Sequence, residues 1–379
     1  MKPATATERF SEVSTKLKRV RALLDEADID GFVFATQGGV AWLTAGLEDV
    51  IIRGADPGFV WVLVTREEAT IFTTNIEGPR ILVEEGIEAL GFEVIQTPWT
   101  TDAWTAPINA RCHAERLGND GAGPGRSLAT ELSRLRVDLT EQEQERLREI
   151  GRDACVAVET AMCNLSPGAT ERVLAAEIAY GLELVGIVPS VLLVGSDDRR
   201  FRFRHPTISD QSIERTALAV LVGVRDGLNI ALSRSVAFAG VEEHLLSRHE
   251  VAARVEAAEM AATRPGATWG EALEAGITAY AENGFPGEWR HHYQGGAVGY
   301  APREFTPGPL EAPNAWTSVE VQVGNAGAWN PTVQGAKSED TFIVGREGPE
   351  LITNSDSWPS IAVDVGGLTL YRPSILILD

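Results

Sequence analysis

The chain has 379 residues, of which 44% are hydrophobic and 23% charged, with a formal charge of −21. A chain of this length supports two domains with packed cores. An acidic surface repels phosphate, which argues against nucleic acid or an anionic membrane as a partner.

The opening MKPATATERF has no basic segment leading into an apolar one, so no secretion signal is expected. Residues 8–27 carry apolar positions at helical spacing. Gly31–Ala35, Phe59–Val64 and Ala69–Thr73 read as short strands between turn residues. Together these predict an α/β unit. The stretch Gly118–Gly125 is glycine-rich without the order of a phosphate loop and reads as a loop. Leu139-Thr140-Glu141-Gln142-Glu143 marks a boundary, Thr140 as N-cap and Glu143 closing a capping box. The expected domains are 1–138 and 139–379. Cys112, Cys155 and Cys163 make no CxxC pair, which fits a reducing, cytoplasmic setting. Apolar runs such as Ala217–Val224 are too short to span a membrane.

Beyond the boundary the chain repeats itself. Pro167-Gly168-Ala169-Thr170 lies between two helical patterns, and Pro265-Gly266-Ala267-Thr268 does the same 98 residues later. The preceding helices are predicted over 143–164 and 242–263. An internal duplication follows, with a cleft between its halves as the natural place for a small ligand. His205 and Arg303 each stand 38 residues after the proline of their repeat. A hairpin is predicted over Ala217–Val236, turning at Arg225-Asp226-Gly227.

Several motifs resemble the pita-bread superfamily of creatinase, prolidase, aminopeptidase P and methionine aminopeptidase. They are Arg204-His205-Pro206, Ser233-Arg234-Ser235, Tyr300-Ala301-Pro302-Arg303-Glu304 and the segment from Gly335 to Val344 followed by Gly348-Pro349-Glu350. The resemblance implies a small N-terminal α/β domain and an internally duplicated C-terminal domain with a curved sheet. It also implies a homodimer. The family's peptidases hold two metal ions with two Asp, one His and two Glu. The matching places here fall near Val220, Ala231, Gly296 and Asn330, and only Glu339 is kept. No metal and no cofactor is therefore expected.

On that resemblance, His205 and Glu339 are the expected catalytic residues. Arg303, Tyr300, His292, Asn330, Arg204 and Arg53 are the expected substrate contacts, Arg53 through the partner subunit. A histidine suits proton transfer near neutrality, and an arginine suits a bidentate grip on a carboxylate. The arginines around His205 are expected to lower its pKa. His291 and His292 are adjacent, so at most one faces the cleft. His244 and His249 read as solvated, and Trp329 as either pocket or core. The leading expectation is a metal-independent, creatinase-like enzyme performing C–N hydrolysis on a small carboxylate-bearing nitrogen compound. The alternatives are a non-catalytic relative that binds peptide or protein, and an Xaa-Pro aminopeptidase-like metallopeptidase with rearranged ligands.

Overall fold

The computed structural model describes residues 6–379. The chain forms two compact units, one running to Arg136 and including Asp226–Leu228, the other made of Val137–Arg225 and Asn229–Asp379.

The first unit holds a six-stranded sheet of β1 (Gly31–Phe34), β2 (Trp61–Thr65), β3 (Ala69–Thr74), β4 (Glu93–Thr97), β5 (Leu117–Asn119) and β6 (Arg126–Ser127). Their order is β4-β3-β2-β1-β5-β6. Val33, Leu63, Phe72 and Leu117 from four strands meet Ile108 in the core. The helix Ala6–Glu26 buries an i,i+4 pair, Glu12 with Lys16 at 2.5 Å, and Lys16 also donates to the Trp42 carbonyl. The loop expected over Gly118–Gly125 is corrected in its first part. Gly118 and Asn119 belong to β5, and the Asn119 amide closes the turn by donating to the carbonyls of Gly123 and Gly125.

The second unit is built on two helix pairs, Glu141–Cys163 with Glu171–Glu183 and Glu243–Ala262 with Trp269–Glu282. Each repeated tetrapeptide is the turn within a pair. Its glycine sits in the left-handed region, at φ 88° for Gly168 and 83° for Gly266. Its threonine caps the next helix: Thr170 accepts from Val173 N–H, and Thr268 forms a capping box with Glu271. Thr140 and Glu143 form the expected capping box at the first helix.

The strands of this unit are β7 (Val188–Ser196), β8 (Thr216–Arg225), β9 (Leu228–Phe238), β10 (Gly295–Val298), β11 (Ala326–Trp329), β12 (Thr332–Val333), β13 (Ala336–Lys337), β14 (Asp340–Val344), β15 (Pro349–Leu351), β16 (Ser360–Val365), β17 (Leu368–Pro373) and β18 (Ile375–Leu378). The main path runs β10-β11-β14-β9-β8-β7, with β15 beside β14 and β18 parallel to β9. The sheet is curled into a half-barrel, so the architecture is the α/β, two-part form expected from the sequence.

One side chain departs from expectation, and an open alternative is decided. His249 is buried, not solvated: its Nε2 meets the Pro373 carbonyl at 2.8 Å, and burial pushes its pKa down to about 4. Trp329 is core. It packs on Trp269 and donates to Thr263 Oγ1.

Candidate functional site

Four strands deliver one lateral row of polar side chains. Trp329 pairs with both Asp340 and Gly295, and Asp340 pairs with Leu232. One residue further along, Ser233, Glu339, Asn330 and Gln294 therefore stand side by side. The backbone bonds Ser233 N–H to Glu339 O and Asn330 N–H to Gln294 O carry this register. Residues directly opposite one another share a sheet face. All four are buried.

Glu339 is the charged centre of the row. Its Oε1 accepts from Arg303 Nη2 at 3.0 Å, and its Oε2 accepts from Ser233 Oγ at 2.7 Å with Lys337 Nζ at 3.4 Å. Burial alone would raise its pKa. The charges of Lys337 and Arg303 outweigh burial and hold it below the usual carboxylate range. Lys337 is lowered by its own burial, against the pull of Glu339. The residues on either side of Glu339 are clamped. Glu256 accepts from Ser338 Oγ and from Asp340 N–H, and Arg372 donates to both oxygens of Glu256 at 2.9 Å and to Asp340.

The two histidines form a pair, with His205 exposed and His292 buried. Their Nε2 atoms lie 3.0 Å apart, with ring centroids at 4.9 Å and an edge-on angle of 67°. Burial, then Lys337, lowers the pKa of His205. Burial, Lys337 and His205 push that of His292 down to about 2. Both rings are therefore neutral near pH 7, and a single N–H lies between them.

The expected cause of the His205 shift is corrected. The arginine run preceding it is spent elsewhere: Arg199 on Glu171, Arg200 on the Gly335 carbonyl and Ser235, and Arg204 on Glu288 at 2.6 Å and on Thr332. The shift comes from burial and from Lys337.

The remaining expected contacts divide. Arg303 meets Glu339 rather than its neighbour Glu304, whose carboxylate accepts from Tyr300 N–H at 2.6 Å. Tyr300 is buried, with its hydroxyl accepting from Arg146. His291, the last residue of a short 3₁₀ turn over Glu288–His291, is exposed, while His292, in extended backbone just after it, turns inward. Arg53 is an exposed residue of the first unit. The sequence reading missed Lys337 and Ser233 as site residues. Lys337 was findable, because it stands two residues before Glu339 and so shares its face in extended chain. Ser233 becomes adjacent only through the pairing of distant strands.

The descriptive model of metallopeptidase family M24 matches residues 145–346, more than half of the chain. A curated Xaa-Pro dipeptidase from Pyrococcus horikoshii is 22% identical over 91% of this chain and 98% of its own. Among solved structures, a dipeptidase from Mycobacterium ulcerans superposes with a TM-score of 0.74 at 18% identity, covering 97% and 98% of the two chains. The N-terminal domain of a FACT complex subunit from Cicer arietinum reaches 0.68 at 13% identity, covering 91% and 96%. The chain belongs to metallopeptidase family M24, a membership that classes it with hydrolases.

The expectation of a metal-independent, creatinase-like enzyme for C–N hydrolysis is overturned by these relatives. The family is one of metallopeptidases, and the curated relative that matches nearly end to end is an Xaa-Pro dipeptidase, which is the peptidase alternative. The residues present do not, however, fit a pair of divalent ions, which needs several anionic donors. Val220 and Ala231 are buried and apolar, and Asn330 is a neutral amide. A side chain at Gly296 would begin 2.2 Å from the Phe305 carbonyl oxygen. Both oxygens of Glu339 are engaged by Arg303, Lys337 and Ser233. Among the described residues, no three His, Cys, Asp or Glu are gathered so as to hold an ion.

Proposed function

We propose that this chain is a hydrolase acting on small Xaa-Pro-type substrates that end in a free carboxylate. The observation that carries the reading is the buried Arg303–Glu339 pair in the same row as Asn330. The Arg303 Nε is itself buried without a partner, leaving part of the guanidinium fork for a substrate carboxylate. Glu339 and the Pro302 carbonyl fix that fork in advance, which lowers the entropic cost of binding.

In this reading His205 exchanges the proton. Its ring reaches solvent, and its lowered pKa keeps a lone pair available at neutral pH. His292 holds the His205 ring by the shared N–H, and the Asn330 side-chain oxygen, buried without a partner, accepts an N–H of the substrate. Tyr300 supports the Arg303 loop. Arg204 orders the segment bearing His205 through Glu288. A cytoplasmic homodimer, in which Arg53 serves the partner subunit, belongs to the same proposal and is supported by the family resemblance. Among the described residues, no helix is long and apolar enough to cross a membrane.

The test is release of proline from a panel of Xaa-Pro compounds, with manganese, cobalt and zinc each supplied in turn. His205→Ala is expected to lower kcat by about 10²–10⁴-fold with little change in KM. Arg303→Ala is expected to act mainly on KM, weakening carboxylate binding by about 2–5 kcal/mol. Absence of hydrolysis under every condition, or full activity in both variants, would remove the proposal.

A further inference from the structure

We infer that the site selects substrates whose amino end is acylated or otherwise uncharged, and discriminates against the free ammonium group of an ordinary dipeptide. This rests on the Xaa-Pro reading above and sharpens it.

A buried ammonium needs a carboxylate with charge to spare, because removing it from water is otherwise too costly. The carboxylates paired with cations around the row are already spent, and Glu259, buried behind Tyr280 without a hydrogen bond, has its pKa raised well above the usual value by burial, so it offers no ready negative charge. Glu339 is flanked by two cations, Arg303 and Lys337. Glu304 is held by Tyr300 N–H, and Glu288 is paired with Arg204. Glu256 and Asp340 are locked with Arg372, and Asp340 also with Arg234 at 3.0 Å. A substrate ammonium placed here would face Lys337 and Arg303 with no anion of its own.

The acceptor that remains is of another kind. Asn330 stands directly opposite Glu339, buried, with its side-chain oxygen lacking a hydrogen-bond partner. A neutral carbonyl oxygen in this place matches an amide N–H, as in an N-acylated residue, and gives a full positive charge little. The excess cation beside Glu339 matches the substrate's carboxylate. One anionic end and one neutral N–H end is the pattern of an N-acyl Xaa-Pro compound.

The experiment is calorimetric titration of the chain with glycylproline and with N-acetylglycylproline. The acetylated ligand is expected to bind at least about tenfold more tightly. Asn330→Asp, nearly the same size, supplies the missing anion and is expected to narrow or reverse that ratio. Equal affinities, or tighter binding of glycylproline, would overturn the inference while leaving the Xaa-Pro reading intact. Binding of neither ligand would sink that reading and the inference with it. An Asn330→Asp chain that folds and keeps the wild-type ratio would overturn the role given to Asn330. Should that variant fail to fold, the wild-type ratio alone decides.

Discussion

Glu259 shows how a single residue can be tuned by what it lacks. It lies in the helix Glu243–Ala262, fully buried, with neither carboxyl oxygen hydrogen-bonded. Gly276 leaves room for it, since a Cβ there would come within 2.4 Å of Oε1. Burial, then the charge of Glu256, raises its pKa well above the usual value. The sign of the pH effect follows. Below about pH 4.5 the group is protonated in both folded and unfolded chains. As pH rises past that, only the unfolded chain releases the proton, and stability is lost at up to about 1.4 kcal/mol per pH unit. Glu259→Met is therefore expected to stabilise the protein at pH 7 by about 1–3 kcal/mol, with the gain shrinking towards pH 4. Urea unfolding at the two pH values measures it, and a gain that is equal at both would contradict this account.

Elements are tied to the site by buried charge rather than by apolar packing alone. Arg372, on β17, reaches Glu256 on the helix Glu243–Ala262 and Asp340 at the start of β14, the residue after Glu339. One arginine thus fixes the β16–β17 hairpin, a helix and the strand that aims Glu339. Removing one partner of a buried ion pair leaves the other uncompensated, at a cost of about 3–5 kcal/mol. Arg372→Met is expected to destabilise by that amount in thermal unfolding, and Arg372→Met with Glu256→Met to recover part of it. A single-variant loss under about 1 kcal/mol would mean that the clamp contributes little. Neither Arg372 nor Glu256 stood out in the sequence, since a charged residue in a hairpin and another on an amphipathic helix read as solvated. The helix itself was legible from its spacing, whereas its buried acids were not.

At the scale of the molecule, the homodimer is the expectation that bears on function, because it would bring Arg53 to a partner's site. Light scattering is expected to give twice the mass of one chain across micromolar concentrations. A single-chain mass would take Arg53 out of the mechanism. The sequence by itself determined the elements and their duplication. Helical spacing, threonine caps and glycine turns act within a few residues, so the helices flanking both Pro-Gly-Ala-Thr turns and the strands around them were readable. The resemblance also implied that the family's metal-ligand positions fall near Val220, Ala231, Gly296 and Asn330. Only the tertiary structure decided the state of the groups that remain. Glu339 is saturated, His205 meets His292, the arginine run is spent on other partners, and Asn330 keeps an open acceptor. The reason is physical: charge and hydrogen-bond satisfaction depend on cross-strand register and burial, which join residues about a hundred positions apart.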